Sequence, residues 1–185
     1  LCSRTTQRDD GRPLLKDHNL SAKYMEYDKS LHKYLTELSA TALQVSELLL
    51  SLKSHLSVAE SCTGGLIAAT CTSISGASDW FDTGVTTYTR HSKQCVLGLK
   101  DREIRDGLVS EATAIAMCEH VAKLSGVDIA LSTTGVAGPS ESEGYKPCAA
   151  WIAVHTPMGT VSRWLEHPDE GRSSDRKSTR LNSSH

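Results

Sequence analysis

Length, composition and charge restrict the classes of protein to which this chain can belong. It has 185 residues, of which 38% are hydrophobic, enough for one domain with its own core. The formal net charge is -2, and no Lys/Arg cluster alternates with aromatic residues, so we do not expect nucleic acid as a partner. No run approaches the roughly 18 apolar residues of a membrane span, and the first residues lack the order of a signal peptide. We therefore expect a cytoplasmic protein with no membrane partner.

The two ends of the chain differ in pattern from the middle. Residues 1–28 are polar with little periodicity, and we interpret them as a disordered segment outside the domain. Residues 173–185 resemble a translated sequencing adapter, and we interpret them as an artefactual tail. The domain is thus expected over residues 29–172. Its cysteines form no C-x-x-C pair and no Cys/His spacing typical of zinc, which favours reduced thiols and no metal.

Hydrophobic periodicity predicts two helices around a short strand in the first half. Over residues 30–53 apolar side chains recur at spacings of three and four, which is one face of an amphipathic helix: Leu31, Leu35, Leu38, Ala42, Val45, Leu48 and Leu49. Residues 56–59 form a strand-like run that ends at Glu60-Ser61. The run Thr63-Gly64-Gly65 then opens a second apolar helix that reaches Ile74. Ser61 is therefore predicted at a strand-to-helix turn.

The second half alternates strands with helices. Residues 84–88 are β-branched and aromatic, which predicts a strand, and Lys93 follows on a short helix. Ser110 is a plausible N-cap for a helix that ends at Ser125, with Ala114, Met117, Val121 and Leu124 on its buried side. A strand over 127–132, a Gly/Ser-rich loop over 133–146, and a hairpin of 150–154 with 161–165 complete the pattern. The fold class is therefore α/β: a three-layer α/β/α sandwich with a mixed, mostly parallel sheet.

Five short motifs resemble those of the CinA carboxy-terminal domain family, in order and in spacing, from Leu31 to Trp164. They are A-E-S-C-T-G-G at 59–65, G-V-T-T-Y at 84–88 followed by Lys93, G-L-V-S-E at 107–111, T-G-V-A-G-P at 134–139 and K-P at 146–147. The resemblance implies hydrolysis of nicotinamide mononucleotide to nicotinate mononucleotide and ammonia, on a small nucleotide substrate and without a cofactor. It also implies a final helix over the sheet, which the tail replaces here, and it leaves a homo-oligomer open.

The resemblance also implies a catalytic role for three residues. Ser61 is the expected nucleophile and Lys93 its base, which must be neutral, as burial allows. Tyr88 is expected to hydrogen-bond within this dyad or to the leaving group. We further expect the N–H groups of Thr63, Gly64 and Gly65, left unpaired by the helix start, to bind the substrate and its oxyanion.

The loop that begins at Thr134 is expected to face the substrate, with Gly135 and Gly138 letting backbone N–H groups approach the ribose phosphate. The chain departs from the family pattern directly after this motif. Ser-Glu-Ser-Glu-Gly occupies 140–144 where glycines are usual, and Ala149 replaces a glycine. Two carboxylates that point towards a phosphate would disfavour binding, so we expect these departures to affect substrate affinity rather than the fold.

Several alternative roles stay open on the residues alone. Cys62 is a rival nucleophile at the same helix start, and His91 is a rival base. Glu60 could support the nucleophile or simply stabilise the helix terminus. At the level of function, the alternatives are a catalytically inactive nucleotide-binding or regulatory module of the same fold, and an amidase for another small carboxamide.

Overall fold

The computed structural model describes residues 37–166, and all structural statements refer to these residues. Four helices and five strands follow one another in this part of the chain. They are α1 (37–52), β1 (Leu56–Glu60), α2 (Leu66–Thr72), β2 (Phe81–Thr86), α3 (Arg90–Leu97), α4 (Glu111–Ser125), β3 (Ile129–Val136), β4 (Ala149–Thr156) and β5 (Gly159–Glu166). Two short 3₁₀ turns lie at Ala77–Asp79 and Asp101–Glu103.

The five strands form one sheet in the order β2-β1-β3-β4-β5. Strand β1 is parallel to both β2 and β3, whereas β4 is antiparallel to β3 and to β5. Four strands therefore run in one direction and only β4 runs against them. The prediction of a mixed, mostly parallel sheet is confirmed.

Helices cover the sheet on both faces because side chains alternate along the strands. Leu56 and Val58 of β1 pack in one cluster with Leu49 of α1 and Ile67 of α2. On the other face, small strand residues pack against α4; this second cluster includes Ala59, Ala130, Ala153, Ala114, Met117 and Val121. Full burial of each aliphatic side chain such as Val58 contributes about 1.5–3 kcal/mol. The predicted three-layer arrangement is confirmed.

The strands and helices have different bounds from those predicted. Strand β3 continues to Val136, because residues 133–136 pair with residues 149–152 of β4. Thr134 and Gly135 are thus strand residues, and the prediction of a loop there is wrong. Strand β2 begins at Phe81 and ends at Thr86, so Tyr88 lies beyond it. Residues 63–65 form a turn before α2 rather than its first turn.

Two residues predicted on buried helix faces lie at the surface. Leu48 of α1 is 59% exposed and Leu124 of α4 is 55% exposed, because each lies at the margin of its helix's apolar stripe. The predicted helix positions Leu31 and Leu35, both end segments and the predicted loss of a last helix all concern residues outside those described. No helix within 37–166 is long and apolar enough to cross a membrane.

Candidate active site

Ser61 and Lys93 form a hydrogen-bonded pair at the carboxyl end of β1. Lys93 Nζ lies 3.0 Å from Ser61 Oγ and donates a second hydrogen bond, 2.6 Å long, to the carbonyl oxygen of Thr87. Lys93 is fully buried and Ser61 is 6% exposed. The pair therefore has the distance that proton transfer between a nucleophile and its base requires.

Strand pairing and a helix cap hold the two side chains in place. Thr87 N donates to Glu60 O (2.8 Å), which extends the β1–β2 pairing beyond both strand ends and keeps the Thr87 carbonyl next to Ser61. Helix α3 begins with a capping box in which the Thr89 side chain accepts from Ser92 N and Ser92 Oγ accepts from Thr89 N. Lys93 directly follows Ser92 of this capping box, so the cap fixes the backbone from which the Lys93 side chain extends.

Burial changes the acid–base properties of Lys93. Removal of the ammonium from water lowers its pKa from 10.5 to about 8, while electrostatic interactions with Cys62 and Glu143 raise the pKa by less. With this pKa, about a tenth of the lysine is neutral at pH 7. A neutral amine can accept the Ser61 hydroxyl proton through its lone pair and still donate to Thr87 O.

The turn after Ser61 uses the N–H groups that we expected to face the substrate. Gly64 N donates to Ser61 O (3.1 Å), and Gly65 N donates to Glu60 Oε2 (3.0 Å). The same carboxylate accepts from Ile67 N and Ala68 N. The prediction that the Gly64 and Gly65 N–H groups are unpaired is wrong, since the buried Glu60 carboxylate satisfies the start of α2. Glu60 is therefore a structural cap.

Thr63 is also removed from the substrate side. Its residue is 0% exposed, and its Oγ1 shares a 2.8 Å hydrogen bond with Thr133 Oγ1 of β3. This bond ties the turn to the neighbouring strand, which is adjacent because Glu60 is paired with Thr133 in the parallel ladder. Thr63 thus holds the turn that carries Ser61 against strand β3, and it does not line the cavity.

A cavity of about 350 Å³ opens at the carboxyl ends of β1 and β3. The chain continues from β1 to β2 on one side and from β3 to β4 on the other, and ligands of open α/β folds usually bind where neighbouring strands diverge in this way. Ser61, Tyr88, Thr134, Gly135 and Gly138 line it. The other lining residues are Leu108, Val109, Val136, Ala137, Pro139, Ser140, Glu141, Ser142 and Glu143. The structure therefore brings together most of the predicted residues, but not Thr63, Gly64 or Gly65.

Tyr88 lies at the cavity wall rather than in the dyad. Its residue is 51% exposed, and within residues 37–166 its hydroxyl makes no hydrogen bond to Ser61 or Lys93. A phenol on the cavity wall can donate a hydrogen bond to a ligand. Its predicted contact with the leaving group stays a prediction.

Thr134 and Gly135 line the cavity but owe their identity to packing as well. Thr134 Oγ1 donates to Leu108 O (2.6 Å), which fixes the segment before α4 against β3. A Cβ on Gly135 would lie 2.3 Å from Ala149 O, so the close approach of β4 excludes any side chain here. A ligand phosphate is thus not needed to explain this glycine.

Glu143 is a cavity residue whose contacts were not predicted. Its Oε2 accepts a 2.8 Å hydrogen bond from Val109 N. A Cβ added to Gly107 would lie 2.6 Å from the same oxygen, so the carboxylate needs a glycine at this position. Glu143 lies in the segment 140–144, where the sequence departs from the family motif. Contact with a segment 34 residues earlier in the chain leaves no local sequence signal, however.

The rival residues have other environments. Cys62 is 4% exposed and packs with Ala137 and Ala150, and it does not itself line the cavity. His91 lies at the surface, with both ring nitrogens 3.5 Å from Cys95 Sγ. None of the five described cysteines forms a disulfide, and residues 37–166 contain no group of three or more His, Cys, Asp or Glu placed to hold a metal ion.

The fold and the site define an α/β/α protein with a buried Ser–Lys pair at the carboxyl edge of its sheet. The family model for the CinA C-terminal domain matches residues 38–183, and the chain belongs to this family. The match extends into residues 173–185, so the boundary of the predicted tail stays a prediction.

Curated relatives and solved structures agree with this assignment. A putative competence-damage inducible protein of Desulforamulus reducens is 42% identical over 127 residues, 68% of this chain but 31% of that protein. A CinA-like protein of Shewanella pealeana is 38% identical over 133 residues, 71% of this chain and 31% of that protein. The chain thus spans about a third of their length. The competence/damage inducible protein CihA from Agrobacterium tumefaciens is similar in structure, with TM-score 0.74 and 31% identity over 80% of this chain and 91% of that one.

Proposed function

We propose that this protein hydrolyses the carboxamide of a pyridine nucleotide, with nicotinamide mononucleotide as the reference substrate and nicotinate mononucleotide and ammonia as products. The observation that carries the proposal is the 3.0 Å contact between a fully buried Lys93 amine and the Ser61 hydroxyl. A solvated surface lysine would have no such partner. The 350 Å³ cavity beside Ser61 has the size of a small-molecule site.

The chemistry requires only residues of this chain and water. Neutral Lys93 takes the Ser61 proton as Oγ attacks the carboxamide carbon, and the tetrahedral intermediate then expels ammonia after Lys93 returns the proton to the leaving nitrogen. Water then adds to the acyl-enzyme, again with Lys93 as base, which releases the carboxylate and restores Ser61. No cofactor enters these steps, and we propose the cytoplasm as their location.

Thr87 and Tyr88 have distinct parts in this scheme. The Thr87 carbonyl accepts one N–H of Lys93, so that the amine's lone pair is directed to Ser61. The Tyr88 hydroxyl, on the cavity wall, donates to the carboxamide during loss of ammonia. The N–H groups of Gly64 and Gly65 already donate to Ser61 O and to Glu60 Oε2. We therefore assign the hydrogen bond to the reacting carboxamide to the Tyr88 hydroxyl.

The test is release of ammonia from nicotinamide mononucleotide by the purified full chain. Ser61→Ala should lower turnover at least about a thousandfold, as removal of a nucleophile does, without loss of binding. Ser51→Ala is the matched control, because Ser51 is exposed on α1 and bonds only to its own helix. Normal turnover by Ser61→Ala would refute the proposal. Binding without ammonia release by the wild type would instead indicate the inactive nucleotide-binding module.

A further inference from the structure

Two buried hydroxyl groups within residues 37–166 have no hydrogen-bond partner, those of Ser57 in β1 and of Thr87 after β2. Both residues are 0% exposed. A buried hydroxyl without a partner disfavours folding, and valine has the shape of threonine without that cost. Thr87 is also the residue whose carbonyl oxygen holds Lys93. Its unpartnered hydroxyl therefore lies next to the catalytic pair, whereas that of Ser57 lies near the start of β1.

The Thr87 side chain and Lys93 lie on the same face of the sheet. Thr87 N donates to Glu60 O, so the extended pairing with β1 continues to this residue. Side chains alternate along an extended chain, which places Thr87 on the same face as Val85. Val85 packs against the cluster that includes Leu97, and Leu97 lies one helical turn after Lys93 on the buried side of α3. The Thr87 hydroxyl and the Lys93 side chain thus extend into one layer.

The Lys93 nitrogen has three positions for hydrogen bonding, and the structure describes partners for two of them. Ser61 Oγ and Thr87 O occupy these two positions. In the neutral amine the third position is an N–H of modest polarity, whereas in the ammonium it is an N–H of a charged group. A buried charged donor without an acceptor is much more unfavourable than a neutral one. The protonated state of Lys93 therefore requires one more acceptor than these two contacts supply.

We propose that Thr87 positions the base through both of its oxygens: the carbonyl holds Lys93 in either protonation state, and the hydroxyl accepts the third N–H when Lys93 carries the Ser61 proton. The inference rests on the proposed function for the reaction in which this proton moves. Rotation about the Thr87 Cα–Cβ bond breaks no hydrogen bond of the hydroxyl within residues 37–166. Hydrogen bonds from charged donors are about twice as strong as neutral ones, so the hydroxyl stabilises the ammonium more than the amine.

Other titratable groups around Lys93 act on the same proton. Cys62 and Glu143 raise the pKa of Lys93, against the larger effect of burial, which lowers it to about 8. At the C-terminal end of α3, His120 of α4 lies 3.4 Å from Glu103. Thr87→Val keeps all of these groups and removes only the hydroxyl. A change in the pKa of Lys93 in this variant is therefore assigned to that hydroxyl.

The test follows Lys93 protonation directly, by NMR titration of its side-chain carbon signals in the full chain without substrate. Thr87→Val should lower the pKa of Lys93 from about 8 by about half a unit or more, because the ammonium loses an acceptor. Thr87→Ser keeps a hydroxyl and should keep the pKa of the wild type. Ser57→Ala is the matched control: it removes the other unpartnered hydroxyl and should leave the pKa of Lys93 unchanged.

Kinetics of ammonia release from nicotinamide mononucleotide separate positioning from packing. Thr87→Val should lower the high-pH plateau of kcat/KM about tenfold and move the midpoint of its pH profile down, because a less stable ammonium makes Lys93 a weaker base. Thr87→Ser should restore both the plateau and the midpoint. A role of Thr87 in packing alone would lower the plateau without a shift of the midpoint.

The proposal is overturned if Thr87→Val leaves the pKa of Lys93 unchanged, or if Thr87→Ser lowers it as much as Thr87→Val does. Thr87→Ala also lacks the hydroxyl and should reproduce the pKa of Thr87→Val, so it decides the matter if valine prevents folding. A wild type that releases no ammonia, while the pKa shift holds, refutes the proposed function but not the role of Thr87. Ammonia release with an unmoved pKa overturns the role of Thr87 and leaves the proposed function intact.

Discussion

The two walls of the cavity are built in different ways. The wall that carries Ser61 and Lys93 is buried, and each polar group named there has a partner: Lys93 with Ser61 and Thr87, Glu60 with the start of α2. The opposite wall, residues 139–144, is exposed, and Glu143 attaches it to Val109. Reaction chemistry needs a geometry that packing enforces, whereas ligand choice can be changed on a wall that packing does not constrain.

Replacement of the buried base should separate activity from stability most strongly. Lys93→Met should lower kcat at least about a thousandfold, because no other described base contacts Ser61. It should also stabilise the fold at pH 7 by up to about 3 kcal/mol, because a pKa of about 8 against 10.5 means that burial disfavours the charged form.

The sign of this effect gives its pH window. The penalty of the buried ammonium is fully present below pH 8, declines as pH rises from about 8 to 10.5, and vanishes above, where the lysine is neutral in both states. Urea unfolding of Lys93→Met and wild type at pH 7 and pH 10 measures it. An equal difference in the free energy of unfolding at the two pH values would contradict a lowered pKa.

Loss of the Glu60 carboxylate, which caps α2, should have the second largest effect, on the stability of the fold. Glu60→Gln replaces one acceptor oxygen by an NH₂ group that faces backbone donors, and we expect a loss of about 3 kcal/mol in the free energy of unfolding. Activity should fall with it, since Ser61 is the next residue. Glu47→Gln, on the exposed face of α1, should change stability by less than about 0.5 kcal/mol. Chemical denaturation distinguishes the two, and equal effects would refute the capping role.

The cavity-facing phenol should matter for rate and not for stability. Tyr88→Phe should lower kcat by about ten- to a hundredfold with an unchanged melting temperature, because the half-exposed hydroxyl has no hydrogen bond to lose within residues 37–166 and is proposed to donate to the ligand. Tyr145→Phe, whose ring packs on Trp164 outside this cavity, should leave kcat unchanged. Steady-state kinetics of the two variants decide the matter, and an unaltered kcat in Tyr88→Phe would remove Tyr88 from the mechanism.

The smallest expected effect links the two walls. The rate measured as kcat/KM should rise with pH around a midpoint of about 8 as Lys93 loses its proton. Glu143→Gln should move the midpoint down by about half a unit or less, since the carboxylate holds the lysine pKa up. Glu111→Gln should not move it. A midpoint shifted upward in Glu143→Gln would contradict the electrostatic contact between the walls.

Local sequence patterns predicted those elements whose structure depends on interactions between residues close together in the chain. The strand β1, the N-cap Ser110 and the end of α4 before Gly126 were all predictable, because they depend on side-chain periodicity and on caps within a few residues. Ser61 at the turn after β1 followed from the same reasoning. Its partner Lys93 came only from the family resemblance, since 32 residues separate the two.

Other features depended on contacts between distant segments. The extension of β3 over Thr134 and Gly135 required β4 as a partner, and the predicted loop there was wrong for that reason. The N–H of Gly64 is occupied by the carbonyl oxygen of Ser61, and that of Gly65 by the Glu60 carboxylate at the end of β1, which a helix-start pattern does not show. Helix margins such as Leu124 were misassigned because neighbours, not periodicity, decide exposure at the edge of a stripe.

The sequence by itself determined the order of strands and helices, the three-layer class and the turn that carries Ser61, because periodicity and capping act over a few residues. Only the tertiary structure decided that Lys93 is buried against Ser61, that Thr63 lies beneath the site, and that Glu143 bonds to Val109 beside the cavity. These contacts join residues 32, 70 and 34 positions apart, and such distances are closed by the sheet and its packed helices rather than by any local signal.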